Sequence, residues 1–407
     1  MDFGFTPQDE EFRAQARTWL AERLTGDYAA AAGQGGPGSE HQATTVRRRW
    51  ERELGRGGWI GLGWDRARGT FGNRHATVVQ QVVWAEEYAR AGAPARVGHI
   101  GENLLAPTLL AHGTDEQCAR FLPAVARGEE LWCQGYSEPD AGSDLAAVRT
   151  SAVRESGPAG SRYRITGQKI WTSLAHEADW CFVLARTEPG SHRRRGLSFL
   201  LVPMDQPGRI EVRPIRQMSG TAEFNEVFFD GALAKAGHLV GAEGDGWRVA
   251  TALLARERGA STLVQQIGFA AELDQVLGLA LAEGAADRDP VLREELVRAW
   301  AELRTMRRHA LRTLGGADST AVPGAPSVAK LLWGGWHQRL GELAVRVRGA
   351  AAALGPRDWT PRRPYELDAL QRLFLFTRAD TLYGGSDEIQ RDLIAQHALG
   401  LPREAHT

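Results

Sequence analysis

Leu131-Trp132-Cys133-Gln134-Gly135-Tyr136-Ser137-Glu138-Pro139-Asp140-Ala141-Gly142-Ser143-Asp144 is the stretch at which the character of the sequence changes. A short apolar run ends in a turn of Gly, Pro and Ser, the pattern of a strand that presents backbone donors and a hydroxyl at its end. Before it, from Thr6 to about Arg127, apolar residues recur at helical spacing: Phe12, Ala16 and Trp19-Leu20, then Val82, Val83 and Ala85 within Val78 to Tyr88. Gly113-Thr114-Asp115-Glu116 reads as a turn into a capped helix, and Gly33 to Gly38 as a surface loop. After it, Tyr163-Arg164-Ile165-Thr166-Gly167, Trp180-Cys181-Phe182-Val183-Leu184 and Leu197-Ser198-Phe199-Leu200-Leu201-Val202 read as strands. The turns Pro189-Gly190 and Gln206-Pro207-Gly208 favour antiparallel hairpins over βαβ units. From Gly244-Asp245-Gly246-Trp247 helical periodicity returns and holds to Ala398, stopped by Gly400 and Pro402. The expected chain is mostly α with a central β part: a helical subdomain over 1–130, a β subdomain over 131–240 and helices over 241–407.

A chain of 407 residues is too long for one ordinary core, so packed subdomains follow from length alone. With 43% hydrophobic and 24% charged residues and a formal net charge of -1, the balance is that of a globular protein with nothing to attract nucleic acid or an anionic membrane. The start, Met1-Asp2-Phe3-Gly4-Phe5 followed by acidic Asp9, Glu10 and Glu11, lacks the basic and apolar regions of a secretory signal, and no apolar stretch is long enough to span a bilayer. Cys118, Cys133 and Cys181 include no Cys-x-x-Cys pair and are too few for a disulfide framework, so a reducing cytoplasm is the expected setting.

Three local patterns carry little chemistry. Gly57-Gly58-Trp59-Ile60-Gly61-Leu62-Gly63 follows a helical stretch, whereas a dinucleotide loop needs a strand before it. His176-Glu177 has Trp180 where a zinc motif would place its second histidine, so no metal site is expected. His192-Arg193-Arg194-Arg195 reads as a solvated hairpin tip, with contact to a CoA phosphate as the minority alternative.

Two further pieces join the opening stretch. In Gly167-Gln168-Lys169-Ile170-Trp171-Thr172-Ser173 an aromatic and two hydroxyls sit beside a strand end, and in Tyr383-Gly384-Gly385-Ser386-Asp387-Glu388-Ile389-Gln390-Arg391 two glycines and a capping serine open the last helix. In this order and spacing the three segments resemble the acyl-CoA dehydrogenase family, and Phe224-Asn225-Glu226-Val227-Phe228-Phe229 and Gly244-Asp245-Gly246-Trp247 extend the resemblance over essentially the whole chain. It implies an N-terminal helical subdomain, a middle antiparallel β barrel and a C-terminal four-helix bundle, with FAD between barrel and bundle. Tyr136, Ser137, Trp171 and Ser173 match positions around the isoalloxazine ring, where an aromatic face and polar donors suit charge on a reduced flavin. Ser386 and Gln390 match cofactor positions in the bundle, Ser143 a position near the pantetheine chain and Arg258 one beside the acyl pocket.

The departures are equally specific. Asp140 stands where glycine is usual, residues 283–291 read Glu-Gly-Ala-Ala-Asp-Arg-Asp-Pro-Val in place of an Arg-x-x-Phe-Gly stretch, and the Gly-rich segment that meets the adenosine half is altered over 349–355. Many relatives carry their catalytic glutamate at the position matching Gly384, where this chain has no side chain. The resemblance leaves Gly384 the role of backbone N–H donor to the thioester carbonyl.

The base is then expected at Glu257. Trp247, Ala250, Leu254, Glu257, Ser261, Val264 and Gly268 follow in steps of three and four and share one otherwise apolar or small helical face, on which a carboxylate loses water and gains basicity. Pairing of Glu257 with Arg258 or Arg256 is the alternative on periodicity alone. Leu254-Ala255-Arg256-Glu257-Arg258 aligns with the helix from which isovaleryl-CoA dehydrogenase and some long-chain relatives supply their base. The implied reaction is FAD-dependent α,β-dehydrogenation of an acyl-CoA or acyl-carrier-protein thioester, with an electron-transfer flavoprotein or similar acceptor and a homo-oligomer, dimer or tetramer, as the working form. A heteromer is the other assembly. Alternative readings keep the fold: an oxygen-using acyl-CoA oxidase, nitroalkane oxidase or flavin monooxygenase, or a non-catalytic partner subunit.

Overall fold

The computed structural model describes residues 5–36, 38–157, 160–257, 261–314, 324–354 and 367–402, without the side chains of 255–257, 261–264 and 312–314. The chain divides into two compact units, one of Met1–Gln217 with Thr221–Glu257, the other of Met218–Gly220 with Arg258–Thr407.

The first unit begins with helices α1 (Pro7–Arg23), α2 (Gly26–Ala30), α3 (Thr44–Arg56), α4 (Val78–Arg90), α5 (Ala106–His112) and α6 (Asp115–Ala126). Local chemistry sets their starts. At α6 the Thr114 hydroxyl accepts from the Gln117 N–H while the Gln117 side chain accepts from the Thr114 N–H, which satisfies two orphan donors at once. The apolar faces of α1, α3 and α4 bury Phe12, Leu20, Trp50, Leu54 and Val83 together. Four indoles meet there: Trp59 and Trp84 stack at 4.2 Å, and Trp19 lies 5.7 Å from Trp50 and from Trp59.

Eight strands follow: β1 (Trp132–Gly135), β2 (Ser151–Gly157), β3 (Gly160–Ser173), β4 (Trp180–Arg186), β5 (Leu197–Pro203), β6 (Ile210–Pro214), β7 (Phe224–Lys235) and β8 (Leu239–Val240). They form one sheet in the order β6-β7-β3-β2-β4-β5-β8, with β1 joined to β4. Most neighbours are antiparallel, as the turns predict. The exceptions are β1 with β4, in register from Trp132↔Trp180 to Gly135↔Val183, and a one-residue link between β2 and β4, both parallel. A parallel neighbour needs a crossover, and here the β2–β3 hairpin supplies it. Helix α7 (Gly246–Glu257) buries Val249, Ala250 and Leu253 in the same core as Trp132, Leu197 and Phe199, so it packs with this unit.

The second unit is helical: α8 (Ser261–Ala282), α9 (Ala285–Arg288), α10 (Pro290–Leu314), α11 (Ala325–Arg348), α12 (Ala369–Phe376) and α13 (Asp387–Leu393). Helices α8, α10, α11 and α12 share a core of Phe269, Leu273, Leu296, Trp336, Leu340 and Leu373, the four-helix packing expected of this half. Residues 283–291 form a turn, the short α9 and the start of α10, whose first amides are capped by the Asp289 carboxylate. No described helix is long and apolar enough to cross a membrane.

Candidate functional site

In the first unit the site is built on the junction of β1 and β3. Ser137 accepts a hydrogen bond from the Ile170 N–H at 2.9 Å, which ties the end of β1 to the middle of β3. Behind that tie lies Lys169, fully buried. Its ammonium donates to the Tyr136 and Leu184 carbonyls at 3.0 and 2.8 Å and to Glu138 Oε1 at 2.8 Å. The Glu138 carboxylate also accepts from the Arg149 and Thr150 amides at 2.6 and 2.9 Å. Burial alone pushes this carboxyl up, but the charge and hydrogen bond of Lys169 and the bonds from 149–150 outweigh it, so Glu138 sits below its ordinary range. Burial draws the Lys169 ammonium below its ordinary value, with the charge and hydrogen bond of Glu138 opposing it, and the pair pins the Ser-Glu-Pro turn to two strands.

Past Lys169 the β3–β7 register slips, with the irregularity between Lys169 and Thr172. Trp171 sits in it at φ +60°, a conformation rare for a bulky residue. The slip turns the indole outward: it is 56% exposed and steadied edge-on by Phe224 at 6.0 Å. The bulky residue is thus held in a costly conformation with its face in solvent. Ser173, half-buried, interacts with the Glu223 carboxyl, which burial and neighbouring Glu40 push up to about 8. Tyr136 is placed differently from Trp171. Its ring packs edge-on against Phe182 and Phe199, 4% exposed, and belongs to the core.

Beside the turn, Ser143 is exposed on the loop that also carries Asp144. Arg193 of the basic hairpin tip reaches back to Asp144 at 3.0 Å, and Arg186 donates to the carbonyls of Val148, Arg193 and Arg195, so the two loops are knotted together. A cleft of about 390 Å³ lies between them, lined by Ala146–Arg149, Arg186 and Ser191–Arg193.

In the second unit, Tyr383-Gly384-Gly385-Ser386 forms the turn into α13. Gly384 and Gly385 have φ of +65° and +84°, which side chains rarely adopt. Gln390 is fully buried and donates to the Gly384 and Gly385 carbonyls at 3.3 and 3.1 Å, while its Oε1 has no hydrogen-bond partner among the described residues. Ser386 caps α13 by accepting from the Ile389 N–H. Glu388 lies in the first turn with its side chain 79% exposed, held below its ordinary range by its own backbone N–H and by Ser386. Of Glu257, the helical backbone at the end of α7 is described and the side chain is not; Arg258 lies outside the described residues. The helical face drawn from Trp247 to Gly268 falls on α7 and α8, with Ala250 buried and Trp247 and Leu254 partly buried on its first half.

Lys169 and Glu138 were missed by sequence reasoning although both stand inside quoted motifs. A lysine between Gln168 and Ile170 within a strand was the available signal, since a charge on an inward strand position demands a partner.

Profiles described as the N-terminal, middle and C-terminal domains of acyl-CoA dehydrogenase match residues 6–129, 133–232 and 244–399. "Acyl-CoA dehydrogenase IpdE1" of Mycobacterium tuberculosis is 55% identical over 396 residues, covering 97% of this chain and 98% of that one. Its namesake in Mycolicibacterium smegmatis is 53% identical over 401 residues, with the same coverage. Among solved structures, "Tcur3481-Tcur3483 steroid ACAD" matches with a TM-score of 0.82 at 28% identity, covering 99% of this chain and 100% of that one. The ChsE4-ChsE5 complex from Mycobacterium tuberculosis matches with 0.78 at 31%, again covering 99% and 100%.

Proposed function

The chain belongs to the acyl-CoA dehydrogenase family, FAD-dependent enzymes that oxidise acyl thioesters, and from that premise we propose that Glu257 takes the α proton in a two-chain enzyme acting on a steroid-derived acyl-CoA. The observation that carries the first part is the turn at Gly384: the position of the usual glutamate is a left-handed glycine, and nearby Glu388 is solvated first-turn helix chemistry. The base comes from elsewhere, and the end of α7 is where relatives with a vacated glutamate keep theirs.

The residues suit a flavin. Trp171 offers a fixed, half-exposed aromatic face, Ser137 and Ser173 polar groups beside it, and Gln390 an unpartnered buried acceptor next to the Gly384-Gly385 carbonyls. Held by these residues, FAD would supply the acceptor for the β hydride. This chain's residues do the rest: the Gly384 N–H polarises the thioester carbonyl, Glu257 accepts the proton, and the Ser143 loop with the cleft beside it receives the pantetheine arm. Ser386 fixes the turn from the helix side. An electron-transfer flavoprotein serves as acceptor in this reading.

Two facts support a partner chain. The Arg-x-x-Phe-Gly stretch that serves a neighbouring subunit's cofactor is replaced by α9 and the Asp289 cap. The matching solved structures named above are each named for a pair of proteins, and one of them is called a steroid ACAD. Expressed alone, the chain is expected to bind well under one FAD per chain, and co-expression with a second acyl-CoA dehydrogenase chain should yield a yellow complex. That complex, supplied with an artificial acceptor without oxygen, should remove two hydrogens from a steroid-derived acyl-CoA in a mass-spectrometric screen of acyl thioesters. A flavin-saturated active monomer would end the two-chain reading, and strict dependence on oxygen would move the chemistry to the oxidases.

Trp171 provides an independent check. Trp171→Ala is expected to lower FAD retention at least about tenfold, the scale of a lost aromatic contact. Trp300→Ala, on the exposed side of α10, should leave it unchanged. Equal retention in both would make Trp171 a packing residue.

A further inference from the structure

Helix α11 turns Lys330, Trp333, Trp336 and His337 inward, and His337 is 3% exposed. Its two ring nitrogens each face a carboxylate oxygen at 2.7 Å, Nδ1 facing Asp380 Oδ2 and Nε2 facing Glu272 Oε2. A neutral imidazole has one N–H, so its bare nitrogen would meet a carboxylate lone pair; both contacts are attractive only when both nitrogens donate. His337 is therefore an imidazolium. The Phe269 ring lies 4.2 Å from it, a favourable place for a cation.

Asp380, fully buried, passes this charge on to the chain that follows. Its Oδ1 accepts from the Tyr383 hydroxyl at 2.5 Å, and its carbonyl accepts from the Lys330 ammonium, which lies 4.0 Å over the Trp333 ring and 5.2 Å from the Tyr383 ring. Opposite charges thus face each other across His337, the pairing under which buried charge is tolerated. Asp380 and Tyr383 bracket one turn, closed by the Asp387 N–H donating to the Thr381 carbonyl at 3.1 Å, and Gly384 is the next residue.

We propose that His337 is a positioning residue: as an imidazolium between Glu272 and Asp380 it fixes Asp380, and through the Asp380–Tyr383 hydrogen bond it fixes the turn that presents the Gly384 N–H. This rests on the reading of Gly384 as carbonyl donor given above. Burial by itself would pull the His337 pKa down, and the bonds and charges of Asp380 and Glu272 carry it to about 9, so the cluster is in its working state at neutral pH. The charged groups around His337 are Glu272 from α8, Asp380 from the turn and Lys330 two turns back on its own helix; α10 meets α11 here through the Ala299 carbonyl, which accepts from the Trp336 indole. A donor moved by an ångström loses much of its effect on rate, which is why a cluster that touches no reactant can set turnover.

The test uses the flavin-loaded assembly with Tyr383→Phe, which removes the hydroxyl that bonds Asp380, and His337→Gln, which removes the cation. Amide exchange measured by mass spectrometry over 381–387 is expected to rise at least about tenfold in both, and bleaching by the acyl-CoA found active in the screen to slow at least about tenfold at unchanged half-saturation. Tyr383→Phe removes a neutral hydroxyl and no charge, so it should fold with wild-type flavin content and a modestly lowered thermal midpoint, and it decides the matter even if His337→Gln does not fold. Wild-type exchange over 381–387 in Tyr383→Phe would overturn the proposal. Faster exchange with wild-type bleaching would keep the anchor and overturn instead the role given to Gly384.

Discussion

Glu257→Gln is expected to leave flavin content normal and to slow substrate-driven bleaching at least about a hundredfold, the scale of a lost general base. Glutamine keeps the volume and a hydrogen-bonding end but cannot accept a proton. The usual position is Gly384, whose left-handed backbone disfavours any side chain, and a Cβ there would already touch the Lys330 chain at 3.6 Å. Glu388 faces solvent and is stabilised as a carboxylate by its own N–H and the Ser386 cap, both of which weaken it as a base. Helix α7 is different: it is embedded in the first unit by Val249, Ala250 and Leu253, and Glu257 is its last residue. Helix packing therefore fixes where the backbone of Glu257 lies. Stopped-flow bleaching of Glu257→Gln beside Glu388→Gln decides the assignment. A wild-type rate in the first and a collapsed rate in the second would show that the wrong glutamate had been chosen.

The second large effect is expected from Lys169→Met, which should cost about 3–5 kcal/mol of stability by leaving a buried carboxylate without its cation. Glu138 is 8% exposed, and without Lys169 it keeps only the amides of Arg149 and Thr150. The Tyr136 and Leu184 carbonyls lose their donor as well. Lys169→Met with Glu138→Leu should recover a large part of the loss, since a paired charge removed on both sides leaves nothing stranded. Urea unfolding of the three proteins measures this, and equal stability of Lys169→Met and wild type would remove the pair from the account. The pair also has an acid signature. Because the folded protein holds the Glu138 carboxyl below its ordinary value of 4.5, its contribution is complete above about pH 5 and fades as pH falls through the lower folded value. The wild type should therefore lose stability in acid more steeply than the double variant.

What the sequence displayed was mainly what is decided locally. The α6 start at Thr114 was legible because its capping box spans four residues, and the helix–strand–helix order because periodicity changes at Leu131 and again at Gly244. The parallel pairing of Trp132 with Trp180 was not, since turns announce only the hairpins they close. Lys169 escaped for a related reason: its carboxylate partner stands 31 residues away, and a strand charge looks solvated until the fold encloses it. His337 and Glu272 are 65 residues apart and share no local pattern at all. Trp171 was found by resemblance, but the register slip that exposes it exists only once β3 and β7 are paired.

The tryptophan cluster of the N-terminal helices has an optical consequence. Trp59 and Trp84 stack at 4.2 Å with an interplanar angle of 6°, and Trp19 and Trp50 close around them, so their transitions couple and give a near-ultraviolet dichroism that vanishes when those helices part. Trp171, the indole assigned to the cofactor, has Phe224 as its ring neighbour and adds little to that band. The two ends of the first unit can thus be followed on separate wavelengths in one heating experiment: visible absorbance for release of the flavin, ultraviolet ellipticity for the melting of the N-terminal helices.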